Sequence, residues 1–127
     1  MRVRRLAVYA LAGALLTGAA VMHTHLEKAE PAVDGTVTVA PTQVRLWFNE
    51  RPEVALSGAT LLKADNSPVA VVKLAATDDT LSVGGTIPVA LAPGKYVVAW
   101  KTGSRDGHVV RGRYTFTFDP AAQPTKP

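Results

Sequence analysis

The sequence predicts an all-β sandwich or barrel. Short segments that alternate apolar and polar residues recur at roughly ten-residue spacing, with Gly and Pro between them. After the first 22 residues, no window of 11 or more residues keeps the apolar period of a helix. The chain has 127 residues, a length typical of one domain.

The predicted strands follow one another between turn residues. They comprise residues 43–50, 59–64, 69–74, 80–83, 95–101 and 111–118. The turn tetrapeptide 65–68 separates the second from the third, so these two are expected to form a hairpin. Gly84 and Gly85 are expected to end the fourth strand, and Pro93-Gly94 is a turn before the fifth.

The first 22 residues have the order of a secretory signal peptide. Arginines at positions 2, 4 and 5 precede an uncharged run over 6–16, and small residues follow at 17–20. An uncleaved anchor is the alternative, because the uncharged stretch 6–22 is marginal for a spanning helix. We expect export, no stable membrane insertion after cleavage, a domain over 23–119 and a loose proline-containing tail over 120–127.

Composition excludes several classes of function. The formal net charge of +4 suggests a nucleic-acid partner. However, the chain after the leader has 11 Lys or Arg against 10 Asp or Glu, so most of the excess charge belongs to the leader. No strand interleaves aromatic and basic residues as an RNA-binding sheet requires, so we expect no nucleic-acid partner. Cysteine is absent, which excludes disulfides, thiolate metal sites and a cysteine nucleophile.

Histidine, carboxylate and the chain terminus are the candidate metal ligands. Asp106 and His108 are two residues apart, so in an extended segment both side chains leave the same face. If cleavage exposes His23, its α-amine, which loses a proton more readily than lysine does, can chelate a metal together with its imidazole. Three nitrogens and one oxygen favour Cu(II). The alternative is a turn aspartate beside a solvated histidine.

Five motifs carry a resemblance to a known family. They are His-Thr-His-Leu at 23–26, Pro-Ala-Val-Asp-Gly at 31–35, Val-Arg-Leu-Trp-Phe-Asn-Glu at 44–50, Tyr-Val-Val-Ala-Trp at 96–100, and Ser-Arg-Asp-Gly-His-Val-Val-Arg-Gly at 104–112, followed by Phe116. In this order and spacing they are specific. From about residue 23 to 118, the chain resembles the CopC-type periplasmic copper-binding proteins.

The resemblance implies an immunoglobulin- or cupredoxin-like Greek-key β-barrel or sandwich, for which we predict about seven strands. It also implies a non-enzymatic Cu(II) protein of copper resistance or homeostasis in the periplasm, with an inner-membrane copper transporter as a partner. By matching position, the ligands are His23, through amine and imidazole, Asp106 and His108, with Glu50 as a hydrogen-bond acceptor behind them. Some members carry a methionine-rich Cu(I) site. The only methionines here are Met1 and Met22, so we expect that site to be absent.

Two questions stay open in the sequence. Cleavage after Met22 exposes His23, whereas cleavage after Ala20 leaves two residues before it, and the role of His25 is undecided.

The competing functions are a metal-free immunoglobulin-like structural domain and a histidine-brace copper oxidase. Only 6% of the residues are aromatic, and we expect most of these in the core, which argues against the substrate surface of such an oxidase.

Overall fold

The computed structural model describes residues 23–122, which form two β-sheets. The strands are β1 (Leu26–Glu30), β2 (Thr36–Val37), β3 (Gln43–Phe48), β4 (Glu53–Lys63), β5 (Pro68–Val72), β6 (Ala75–Ala76), β7 (Ser82–Thr86), β8 (Gly94–Gly103) and β9 (Val109–Phe118). One sheet has the order β1-β3-β7-β6 and the other β2-β9-β8-β4-β5. Over the described range there is no helix long and apolar enough to cross a membrane. The predicted leader and the last five residues of the predicted tail lie outside that range.

The predicted all-β class is confirmed, with two corrections. The two sheets make a sandwich, and residues 23–122 contain nine strands where about seven were predicted. Two of the nine, β2 and β6, have only two residues each, too few to show an alternating pattern. The glycines at 84 and 85 were expected to end a strand, but they lie inside β7 and pair with β3.

The hairpin of β8 and β9 supplies much of the core. Ten residue pairs join the two strands, from Gly94 opposite Phe118 to Gly103 opposite Val109. Tyr96 stacks on Phe116 with ring centroids 5.5 Å apart. Period two turns the aromatic side chains of both strands inward, as the pattern predicted.

A second aromatic contact joins the two sheets. Phe48 of β3 meets Trp100 of β8 edge to face, with ring centroids 5.3 Å apart, and both rings are buried. Most aromatic residues were expected in the core, whereas Trp47 lies half-buried on the other face of β3, where the cationic groups of Lys28 and Arg45 are 4.5 and 4.6 Å from its ring centroid. The alternation along β3 accounts for this placement, since neighbouring residues point to opposite faces.

Gly85 marks the place where the chain crosses between sheets. The segment after β5 leaves one sheet for β6 in the other, and Lys73 passes close to β7. A Cβ at position 85 would overlap the carbonyl oxygen of Lys73, a backbone atom that cannot swing away. A side chain here would therefore push the crossing segment off the sandwich.

We expect Gly85→Ala to lower the free energy of unfolding by about 1–3 kcal/mol, the usual cost of overpacking. The matched control is Gly84→Ala, because a Cβ there would meet its nearest neighbours at an ordinary 3.4 Å. Urea denaturation of both variants measures the difference. Equal stability of the two variants would contradict the close approach at Gly85.

Candidate metal site

The loop of residues 104–108 joins β8 to β9 and brings Asp106 and His108 together. Ser104 donates its backbone N–H to the carbonyl of His108 at 2.9 Å, and Gly107 donates to the carbonyl of Ser104 at 3.0 Å. Gly107 has φ of 85°, a conformation that glycine adopts without strain. The two side chains were expected to share a face of an extended segment. They meet instead across a turn.

Asp106 accepts three hydrogen bonds. The donors are the Ser104 hydroxyl, Nδ1 of His108 at 2.7 Å and the backbone N–H of His108 at 3.2 Å. The Ser104 hydroxyl, which has the largest effect, and the two donors of His108 hold the pKa of Asp106 well below its usual range. An ionised carboxylate only accepts, so Nδ1 of His108 carries a proton, and in the neutral form of that imidazole the free lone pair is on Nε2. A carboxylate has about four acceptor positions, which leaves Asp106 one more.

The segment 23–25 is held by the residues that follow β3. The side-chain oxygen of Asn49 accepts the N–H of His25 at 2.7 Å, and its side-chain nitrogen donates to the carbonyl of His23 at 3.1 Å. The backbone N–H of Asn49 donates to the carbonyl of His25 at 3.2 Å. Thr24, buried between the two histidines, donates its hydroxyl to the carboxylate of Glu50. These contacts fix the path of the segment that carries His23.

One surface pocket gathers all four residues singled out in the sequence. Its lining comprises His23, Thr24, Glu50, Ser104, Arg105, Asp106, His108, Val109 and Val110. Among residues 23–122, no three His, Cys, Asp or Glu side chains are grouped closely enough to hold a metal ion, so His23 lines the pocket without completing a cluster with Asp106 and His108. The structure thus forms the Asp106–His108 pair and places His23 and Glu50 in the same pocket.

His25 is directed elsewhere. Its Nε2 lies 2.8 Å from a carboxylate oxygen of Glu27, and its Nδ1 lies 3.3 Å from the carbonyl oxygen of His23. His25 does not line the pocket. The sequence reasoning did not anticipate the positions of Thr24, Asn49 and Ser104. The signal that could have found them is the motifs themselves, since Thr24 lies within 23–26, Asn49 within 44–50 and Ser104 within 104–112.

Comparison with known proteins shows the family. The CopC domain matches residues 26–119. The chain belongs to the CopC domain family. The match begins after His23, so membership does not depend on the candidate ligand at that position.

Three relatives of this CopC-family protein illustrate the likeness. Protein YobA of Escherichia coli K12 is 32% identical over 114 residues, which cover 89% of this chain and 92% of that protein. The crystal structure of CopC from Methylosinus trichosporium OB3b matches with a TM-score of 0.71 and 32% identity, over 80% of this chain and 98% of that one. PcoC from Escherichia coli, a methionine-rich copper resistance protein, matches with a TM-score of 0.67 and 34% identity, over 76% of this chain and 99% of that one.

Replacing Asn49 should release the segment that carries His23. Asn49→Ala removes both side-chain bonds, each contributing about 1 kcal/mol, so we expect amide exchange of His25 to rise about fivefold or more. Asn49→Asp is the control, since it keeps the acceptor for the His25 N–H. Hydrogen exchange followed by NMR gives the rates. Identical exchange in the two variants would show that this acceptor does not hold the segment.

Ser104→Ala should raise the pKa of Asp106 toward its usual value, because the Ser104 hydroxyl is the largest cause of the lowering. A depressed pKa in the folded state stabilises the fold above the unfolded value of about 3.9, and the contribution disappears as pH falls through the folded value. The variant should therefore lose this contribution at higher pH than the parent protein. NMR titration of the carboxylate carbon in metal-free protein measures the change.

Ser67→Ala is the matched control for that titration. Ser67 lowers the pKa of Asp65 through its hydroxyl and its backbone N–H, in a turn of similar design. This variant should raise the pKa of Asp65 and leave Asp106 unchanged. An Asp106 titration that is the same in Ser104→Ala and in the parent protein would contradict the role of the Ser104 hydroxyl.

Proposed function

We propose that this CopC-family protein binds one Cu(II) ion in the periplasm and serves copper resistance by sequestering or delivering that ion. The observation that carries the proposal is that His23, Asp106 and His108 line the same pocket. Membership of the CopC family supports copper as the ion, since a structural relative is named a copper resistance protein. The order of residues 1–22 supports export.

The chemistry of the pocket suits Cu(II). The lone pair on Nε2 of His108 and the imidazole of His23 supply two nitrogens, and removal of the leader before His23 would add the α-amine. The remaining acceptor position of Asp106 supplies an oxygen. Nitrogen and oxygen ligands of this number favour Cu(II) among the divalent metals of the first transition row. Glu50 supports these ligands from outside, because its carboxylate accepts a hydrogen bond from the hydroxyl of Thr24, the residue next to His23.

The proposed site takes the oxidised ion alone. Thioethers and thiolates are the ligands that Cu(I) prefers. This sequence has no cysteine, and its two methionines lie at positions 1 and 22, in contrast to the methionine-rich relative PcoC. A chelator competition with Cu(I) should therefore detect no tight site. A carboxylate ligand would occupy a copper position that an oxidase needs open for oxygen, which favours a binding role without catalysis.

The ligand assignment is tested by comparing His108, which lines the pocket, with His25, which does not. His108→Ala should weaken Cu(II) binding more than the roughly 10–100-fold loss typical of an outer contact, since it removes a ligand. His25→Ala should leave the affinity unchanged, because His25 contacts Glu27 and does not line the pocket. Competition titration with a Cu(II) chelator measures both. Equal losses in both variants would overturn the assignment.

The protein as the cell produces it provides the decisive sample. We expect intact mass to show a chain that starts at His23, and electron paramagnetic resonance to show one tetragonal Cu(II) per chain with several nitrogen ligands. Affinity should fall in acid, because amine and imidazole bind copper only without their protons. A chain that starts at Val21 would overturn the His23 amine as a ligand. The absence of any bound Cu(II) would favour a metal-free structural domain.

A further inference from the structure

Positive charge is concentrated on the β8–β9 hairpin. Residues 94–118 contain five Lys or Arg and one Asp. The rest of the described range contains five Lys or Arg and nine Asp or Glu. The molecule therefore joins a cationic hairpin to an acidic body. Copper is itself a cation, so the charge of the hairpin does not serve to attract it.

Three of these cations share the outer face of the hairpin. Lys101 lies directly opposite Arg111 in the β8–β9 register, and Arg113 follows two residues later on the same face. We call Lys101, Arg111 and Arg113 the basic face. Like charges directly opposite one another destabilise an antiparallel pair. Among residues 23–122, none of the three forms an ion pair, and Arg113 donates to the neutral side-chain oxygen of Asn66.

The basic face lines an open groove in the five-stranded sheet. Small residues at the neighbouring positions Gly58, Thr60 and Ala99 leave room above the strands, and Val71 of β5, 72% exposed, lines the groove from the next strand beyond β4. Lys101 lies across β4, since its Cε is 3.3 Å from the place that a Cβ of Gly58 would take. The groove lining contains no carboxylate within the part of the chain that the structure describes.

We propose that the basic face docks an extended acidic segment of a partner protein. An extended chain directs every second side chain to one side, at a repeat of about 6.8 Å, which is also the spacing of Arg111 and Arg113 along β9. Carboxylates at alternate positions can meet these cations and remove the repulsion between Lys101 and Arg111. A groove with an apolar residue on its far side fits a polypeptide better than the plane of an anionic membrane.

The position of the basic face gives this docking a direct use. Lys101 is two residues from Gly103, and Arg111 is two residues from Val109. Gly103 and Val109 form the last pair before the loop 104–108. A bound segment would therefore lie beside the pocket of the candidate metal site. The docking itself does not rest on the proposed copper ligands, since none of them belongs to the basic face.

The probe is a fluorescent peptide of consecutive glutamates, with fluorescence anisotropy as the readout. We expect binding at about 10 mM salt that weakens at about 150 mM, where the Debye length shrinks from about 30 to about 8 Å. K101E/R111E should weaken binding about tenfold or more, because each change replaces an attraction by a repulsion. Copper affinity of this variant should stay unchanged, which separates the docking from the proposed function.

The matched control is K63E/K73E, which changes the net charge equally at exposed lysines that do not line the groove. It should bind the peptide like the parent protein. Equal losses in both double variants would reduce the effect to net charge and overturn the proposal. Binding to anionic lipid vesicles without binding to the peptide would also overturn it, in favour of a membrane surface.

Discussion

The pairing of β8 with β9 is the constraint on which the rest of the molecule depends. Its register decides at once which side chains enter the core and which face water. A slip of β8 by one residue would turn Tyr96 and Trp100 outward and Lys101 of the basic face inward. The same register sets the length of the loop 104–108, in which the turn brings Asp106 to His108. Core, candidate site and charged groove are therefore three consequences of one pairing.

The candidate site combines parts from both sheets. The loop 104–108 belongs to the five-stranded sheet, whereas Asn49 and Glu50 follow β3 of the other sheet and hold the segment with His23. The distance between these parts depends on how the sheets pack. Phe48, one residue before Asn49, makes the edge contact with Trp100 that joins the sheets. Gly112 allows it, because a Cβ there would overlap the indole ring.

Charge is divided in a way that the whole-chain value conceals. The formal net charge of +4 includes three arginines of the predicted leader, and the chain after it is near neutral. Near neutrality arises from a cationic hairpin and an acidic remainder, which a total cannot reveal. Such a division creates a local field even when the net charge is small, and local fields steer partners. The same hairpin carries the loop of the proposed copper site, so cargo and partner would meet at neighbouring surfaces.

Local pattern was sufficient for much of this molecule. Alternation along β3, β8 and β9 predicted strands and their buried faces, because the two-residue period is written in consecutive side chains. It could not predict β2 or β6, each only two residues long, nor that Gly84 and Gly85 lie inside β7. Those strands exist because neighbouring strands offer hydrogen bonds, a condition that lies far away in the chain.

The candidate ligands themselves were named from residue types and family motifs. The sequence by itself determined an all-β chain, the absence of cysteine, and the choice of His23, Asp106 and His108 as candidates. Only the tertiary structure decided that these three line one pocket, that Asn49 holds the segment of His23, and that His25 turns to Glu27. The physical reason is distance along the chain. More than eighty residues separate His23 from His108, and only the packing of two sheets brings their ends to one place.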